Sequence, residues 1–172
     1  MLNSADRNFF EGATASDGFL QLPQKKKGNI ILLTCGDHER FPEVYARQKG
    51  TSHHVHVMAL PGMHLLLADK RTRDIVLDLL DEVSELTGFD TFVPLGQWPC
   101  RAAKKRGLTL EENIQKMASG AEFLMRAYAE RRCVIIPEFC LYDGRNTTHH
   151  GLNVYHPDIR VLIRPRERDF SE

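Results

Sequence analysis

The sequence has few cysteines, no long run of apolar residues and no net charge. Its 172 residues include four cysteines, and 23 Lys and Arg balance 23 Asp and Glu. The cysteines lie far apart without a Cys-x-x-Cys pair, so a disulfide framework is not expected, and burial as thiols in a reducing compartment is the default interpretation. The length fits one ordinary globular domain, because single domains commonly have about 100–150 residues.

The lack of net charge and of long apolar runs argues against binding to nucleic acids or membranes and against a signal peptide. A zero net charge removes the broad electric field on which non-specific binding to nucleic acids or anionic membranes depends. No segment approaches the roughly 18 apolar residues of a membrane-spanning helix. Asp6, Glu11 and Asp17 interrupt the region where a signal peptide needs an apolar core. We therefore expect a soluble, cytoplasmic protein that binds neither nucleic acid nor membrane.

Hydrophobic patterning predicts alternating strands and helices after an N-terminal arm of residues 1–28. The predicted strands cover residues 29–34, 54–60, 89–95 and 133–142, with residues 152–155 as a hairpin partner of the last. The predicted helices cover residues 41–48 and 74–86, and a third begins after a capping box formed by Thr109 and Glu112. Its apolar face is predicted at Ile114, Met117, Ala118, Ala121, Leu124, Met125 and Tyr128. This order predicts a single α/β domain over residues 29–172, with a central, mostly parallel β-sheet flanked by helices.

Two of the four cysteines follow predicted strands at the edge where α/β sheets bind ligands. Cys35 ends the first strand and Cys100 follows the third, so the two thiols could meet over the carboxyl ends of the strands. A thiolate pair with nearby Asp, His or Gln side chains is a suitable partial ligand set for zinc. The alternative is that both are core thiols without a ligand. Cys133 and Cys140 have only this second interpretation.

Two segments resemble the zinc-ligand motifs of β-class carbonic anhydrases. Residues 31–40, ILLTCGDHER, resemble the first motif, in which a strand ends in Cys-x-Asp-x-Arg. Residues 93–100, VPLGQWPC, resemble the second motif, in which a strand ends in Gly-His-x-x-Cys. Further similarity to the family extends over residues 8–12, 55–62, 74–86 and 134–144. The resemblance implies a β-carbonic-anhydrase-like fold with an N-terminal arm, zinc as the cofactor, and reversible hydration of CO2 to bicarbonate by zinc-bound hydroxide.

The resemblance assigns zinc ligands, and one of them departs from the family pattern. Cys35 and Cys100 match the two thiolate ligands. Gln97 occupies the place of the histidine ligand, and an amide oxygen is a poor zinc ligand beside an imidazole. His38 is the nearest replacement ligand, and Asp37 is a carboxylate alternative. The metal-ligand candidates are therefore these five residues.

The catalytic dyad of the family is also displaced. In the family, an arginine holds the aspartate of the first motif away from zinc and leaves a position open for water. Asp37 matches that aspartate, but Arg40 lies one residue too late and Glu39 stands in the expected position. Asp37 and Arg40 are the candidate catalytic residues, while Asp37 has the alternative role of capping the helix predicted over residues 41–48.

Two functions remain open at this point. The first is a β-carbonic-anhydrase-like lyase whose small-molecule substrate is CO2 or bicarbonate, and the family implies a homodimer or a larger homo-oligomer. The second is a catalytically altered or metal-free relative whose pocket serves as a binding surface. The basic run formed by Arg101 and Lys104–Arg106 is typical of solvated surface, with contact to an anion or phosphate as the functional alternative.

Overall fold

The computed structural model describes residues 3–15, 19–20, 28–36, 41–142 and 152–157. The helices are α1 (Ser4–Ala15), α2 (Phe41–Thr51), α3 (Met63–Ala68), α4 (Arg73–Thr87), α5 (Arg101–Lys105) and α6 (Leu110–Ala127). The strands are β1 (Phe19–Leu20), β2 (Asn29–Thr34), β3 (His54–Ala59), β4 (Thr91–Trp98), β5 (Val134–Ile135), β6 (Glu138–Tyr142) and β7 (Leu152–Pro157). Within these residues, no helix has the length and apolarity needed to cross a membrane.

The strands form one mostly parallel sheet. Their order is β1-β7-β6-β4-β2-β3, and β5 pairs with the first part of β4. Strands β2 to β6 run parallel to their neighbours in this group, whereas β7 is antiparallel to β6 and to β1. The hairpin predicted between the last two long strands is therefore confirmed, and so is the mostly parallel sheet.

Helices cover both faces of the sheet, which explains the continuous apolar run in β2. Ile30 and Leu32 pack towards Val44 of α2. Ile31 and Leu33 pack on the opposite face, in a cluster completed by α3, α4 and α6. All four side chains are fully buried, as expected of a parallel strand covered on both faces. The predicted α/β class with a helix-flanked sheet is confirmed.

Two predicted strand boundaries were wrong. The third strand continues through Gly96 to Trp98, because Gly96 is packed against neighbours rather than starting a turn. A Cβ atom there would lie 2.6 Å from Cγ of Met117 and 2.8 Å from Cδ2 of Phe139. The predicted strand over residues 133–142 is divided into β5 and β6, and Pro137 lies between them, where it has no N–H group to donate to a ladder.

Short helices and one helix face also differ from the prediction. α3 and α5 span six and five residues, which is too short for a helical period to show in the sequence. α6 begins after the predicted capping box, since Thr109 Oγ1 accepts from the Glu112 N–H and Glu112 Oε2 accepts from the Thr109 N–H. Met125 is 37% exposed rather than buried.

Candidate functional site

Cys35 and Cys100 meet at the carboxyl ends of β2 and β4. Cys35 follows β2 directly, and Cys100 stands immediately before α5. Their side chains belong to one buried cluster with Trp98, and the two thiols are in hydrogen-bonding contact. The structure thus brings together the two cysteines that the sequence placed at this edge. Cys133 and Cys140 pack in two other clusters, and none of the four forms a disulfide.

Backbone N–H groups surround both sulfur atoms. The Gly62 N–H donates to Cys35 Sγ at 3.2 Å, and the N–H groups of Ala102 and Ala103 donate to the Cys100 sulfur. Gly62 has φ of 69°, and a Cβ atom there would lie 2.9 Å from the Cβ of Ala102, so glycine permits this close approach. Donors aimed at sulfur favour its ionised form.

The two thiols oppose each other's ionisation. The hydrogen bond to Cys35 and burial together raise the pKa of Cys100 above its usual value, against the lowering effect of the N–H groups of Ala102 and Ala103. A second negative charge at the same buried place is unfavourable. A divalent cation between the sulfur atoms would remove this repulsion, since thiolates are the form in which cysteine binds metals.

Gln97 lies close in sequence but on the other face of β4. Alternation along the strand places its side chain with Leu95, on the face covered by α2, whereas Trp98 packs with the thiols. The side chain is 3% exposed, and its Nε2 is buried without a hydrogen-bond partner among the residues that the structure describes. Its backbone carbonyl accepts from Asn113 Nδ2 at 3.0 Å.

The other predicted site residues, Asp37, His38 and Arg40, lie outside the described residues. Within the described part of the chain, no group of three or more His, Cys, Asp or Glu side chains is arranged to hold a metal ion. The structure therefore supplies two thiols of the predicted ligand set. The roles of the three loop residues stay predictions.

Sequence reasoning missed a buried histidine beside the site. His64 of α3 is 1% exposed, and its Nε2 lies 2.8 Å from Asn113 Oδ1. Because that oxygen is an acceptor, we assign the proton to Nε2. Nδ1 is buried and has no partner within the described part of the chain. The one signal in the sequence is a histidine inside the apolar run of residues 63–68. Asn113 therefore connects the His64 imidazole to the backbone of Gln97.

A buried carboxylate was missed as well. Glu138 is 1% exposed and Gln48 is fully buried, and Gln48 Nε2 donates to Glu138 Oε2 at 2.6 Å. Glu138 is aligned with Leu95 on β4, so it shares the sheet face of Gln97. No sequence pattern pointed to this pair. It forms a polar layer under α2, next to the end of the strand that carries Gln97.

Part of the predicted N-terminal arm contacts the site of its own chain. Asp6 Oδ2 in α1 accepts from Trp98 Nε1 at 3.1 Å, and Phe9 packs against the cluster that contains the thiols. Trp98 is 6% exposed, so its indole N–H needs such a partner. α1 therefore closes one side of the thiol cluster.

Burial of His64 is expected to make folding stability depend on pH. Burial lowers the pKa of His64 from 6.5 to about 4, opposed by the hydrogen bond to Asn113 and assisted by the charge of Arg106. Between about pH 4 and pH 6.5, His64 binds a proton in the unfolded chain but not in the folded chain. The free energy of unfolding should therefore fall as pH falls through this window, by up to about 1.4 kcal/mol per pH unit.

Urea unfolding of the wild type and of His64→Gln at several pH values measures this effect. The variant keeps a side-chain N–H for Asn113 but does not titrate, so its stability should change less between about pH 6.5 and pH 4. His54→Gln is the control, because His54 is exposed. Equal slopes for the wild type and His64→Gln would contradict the assignment.

Comparison with known proteins gives a likeness to solved structures and none to a family or a curated protein. No protein-family model matches the chain, and no curated protein matches it. Among solved structures, the chain is similar to a carbonic anhydrase from Streptococcus mutans, with 20% sequence identity and a TM-score of 0.42 over 83% of this chain and 93% of that chain. The α/β assignment rests on the strand order and helix layers of this chain itself.

Proposed function

We propose that the chain is a divergent zinc protein of the β-class carbonic anhydrase type, in which Cys35 and Cys100 are two of the zinc ligands. The observation that carries the proposal is the pair of buried thiols in contact with each other. Zinc accepts thiolate ligands in tetrahedral sites. It would also supply the positive charge that allows both sulfur atoms to ionise.

The remaining ligands are proposed from the loop that follows Cys35. His38 offers an imidazole and Asp37 a carboxylate, both of which are ordinary zinc ligands. Gln97 occupies the histidine position of the second motif, but its side chain lies on the α2 face of β4, opposite the thiols, and its neutral amide is a weaker ligand. Zinc would supply a Lewis acid that lowers the pKa of water to roughly 7, which is the chemistry required for hydration of CO2. Asp37 would orient that water, and Arg40 would hold Asp37.

A metal-free binding function is the second candidate, and Gln97 favours it. The amide replaces the one nitrogen ligand of the family pattern, and its Nε2 is a buried donor that no described residue accepts from. A buried donor left unpaired is costly unless another group accepts from it. In this case the pocket would bind a different small molecule, and the two thiols would remain protonated.

We also propose a cytoplasmic homodimer or larger homo-oligomer with a small-molecule substrate. A reducing compartment suits a chain whose four cysteines are all thiols. Light scattering after size-exclusion chromatography measures the mass of the assembly, and a monomer at micromolar concentration would contradict the oligomer.

The zinc content of the purified protein tests the proposed function. We expect about one equivalent of zinc per chain after purification without chelator, because structural sites that contain thiolates bind zinc tightly. Less than about a tenth of an equivalent, also after incubation with zinc and desalting, would contradict the zinc centre and favour the metal-free alternative. Stopped-flow measurement of CO2 hydration tests the catalytic half separately, since zinc without a rate above buffer leaves a binding role.

A further inference from the structure

A groove beside the thiol cluster has a cationic rim and an apolar floor. Its volume is about 490 Å³, within the range of roughly 300–1,000 Å³ that is usual for small-molecule sites. It lies between the end of α3, the turn after α5 and the first turns of α6. The lining residues are Leu65, Ala68, Asp69, Lys70, Arg106, Leu108 and Lys116.

The charge of the rim is positive. Lys70, Arg106 and Lys116 are exposed, and no ion pair joins them to another of the described residues. The one acidic lining residue, Asp69, is engaged by Arg71, with Nη2 of the guanidinium 3.0 Å from Oδ2 and the backbone N–H 3.0 Å from Oδ1. Asp69 acts electrostatically on Arg106 and Glu112 on Lys116, but neither forms an ion pair with it within the described residues, so the three cationic groups remain able to contact an anion.

The floor of the groove is apolar and fixed in place. Leu65 is 1% exposed, and both Leu65 and Leu108 pack against the cluster that contains Cys35 and Cys100. Ala68 and Leu108 are partly exposed and supply the apolar contact surface of the groove, which Leu65 lines with little exposed area. A ligand here would need an anionic group for the rim and an apolar or flat aromatic part for the floor.

We propose that this groove binds a small organic phosphate. The phosphoryl group contacts Lys70, Arg106 and Lys116, and the organic part lies on Ala68 and Leu108. A phosphoryl group carries close to two negative charges at neutral pH and offers three acceptor oxygens, which suits three cations better than a single carboxylate does. Arginine is well shaped for such oxygens because its planar guanidinium donates two parallel N–H bonds. The site is separate from the proposed zinc centre and does not depend on it.

Isothermal titration calorimetry with four probes tests the proposal on the full chain. The probes are adenosine 5′-monophosphate, ribose 5-phosphate, inorganic phosphate and adenosine. We expect saturable binding of the nucleotide with a Kd below about 1 mM, weaker binding of the two smaller phosphates, and no binding of adenosine. Equal affinity for the nucleotide and inorganic phosphate would overturn the role of the floor, and equal affinity for the nucleotide and adenosine would overturn the role of the rim.

Substitutions locate the binding on the groove. Arg106→Ala and Lys116→Ala should each weaken nucleotide binding by about 5-fold or more, because each removes a charge-assisted hydrogen bond. Lys105→Ala is the matched control, since Lys105 is exposed and lies beside Arg106 in sequence but does not line the groove. An equal loss in the control would show a non-specific charge effect and overturn the proposal. Removal of zinc should leave nucleotide affinity unchanged, which separates this test from that of the zinc centre.

Discussion

Replacement of Cys100 by serine is expected to reduce bound zinc from about one equivalent per chain to less than about a tenth. A serine hydroxyl stays protonated at neutral pH, so the site would lose one of its two thiolates and retain one sulfur ligand. The three N–H groups that surround the sulfur atoms cannot replace it, because they are donors. Cys35→Ser should have the same effect. Elemental analysis of the desalted proteins measures the loss.

Cys133→Ser is the control for this experiment. Cys133 is also a thiol, but it packs against the cluster that contains Ile31 and Leu33, and not against the cluster of Cys35 and Cys100. The Cys133→Ser variant should bind as much zinc as the wild type. Circular dichroism should show that all three variants remain folded. Retention of wild-type zinc by Cys100→Ser or Cys35→Ser would contradict the ligand assignment. Zinc loss in all three variants would point to unfolding instead.

The parts of the fold that the sequence predicts are those set by local chemistry. Asn29–Thr34 is an apolar run between glycines, and it forms the central strand β2. Thr109 and Glu112 satisfy each other's backbone donors within one turn, so the start of α6 can be identified from four residues. The role of Gly96 could not be predicted in this way. Glycine is needed there because Met117 and Phe139, which belong to distant elements, approach its backbone closely.

The same distinction applies to the candidate site. Cys35 and Cys100 could be placed together because each follows a strand, and parallel strands end at one edge of a sheet. His64 and Asn113 are 49 positions apart, and Gln48 and Glu138 are 90 apart. In each pair, the hydrogen bond forms only because the folded chain brings two distant residues together. A buried polar residue gives no periodic signal of its own, so sequence patterns indicate the thiols but not these pairs.

Gln97→His is expected to raise the rate of CO2 hydration of the zinc-loaded protein by about tenfold or more. The Gln97 side chain lies on the α2 face of β4, so the imidazole has to turn at the carboxyl end of the strand towards the thiols. In that position it would restore the nitrogen ligand of the family motif and bind zinc more strongly than the amide. The change costs little at Gln97 itself, because its Nε2 has no hydrogen bond to lose with any residue in the described ranges. Stopped-flow CO2 hydration, normalised to the zinc content of each sample, measures the gain.

Gln115→His makes the same chemical change on α6, at a position outside the proposed centre, and should leave the rate unchanged. The joint result for zinc and rate identifies which part of the site limits the chemistry. A variant that binds more zinc but gains no rate would place the remaining defect at the displaced Arg40, since Asp37 would then lack the partner that holds it. No change in either zinc content or rate would contradict the correspondence between Gln97 and the histidine ligand.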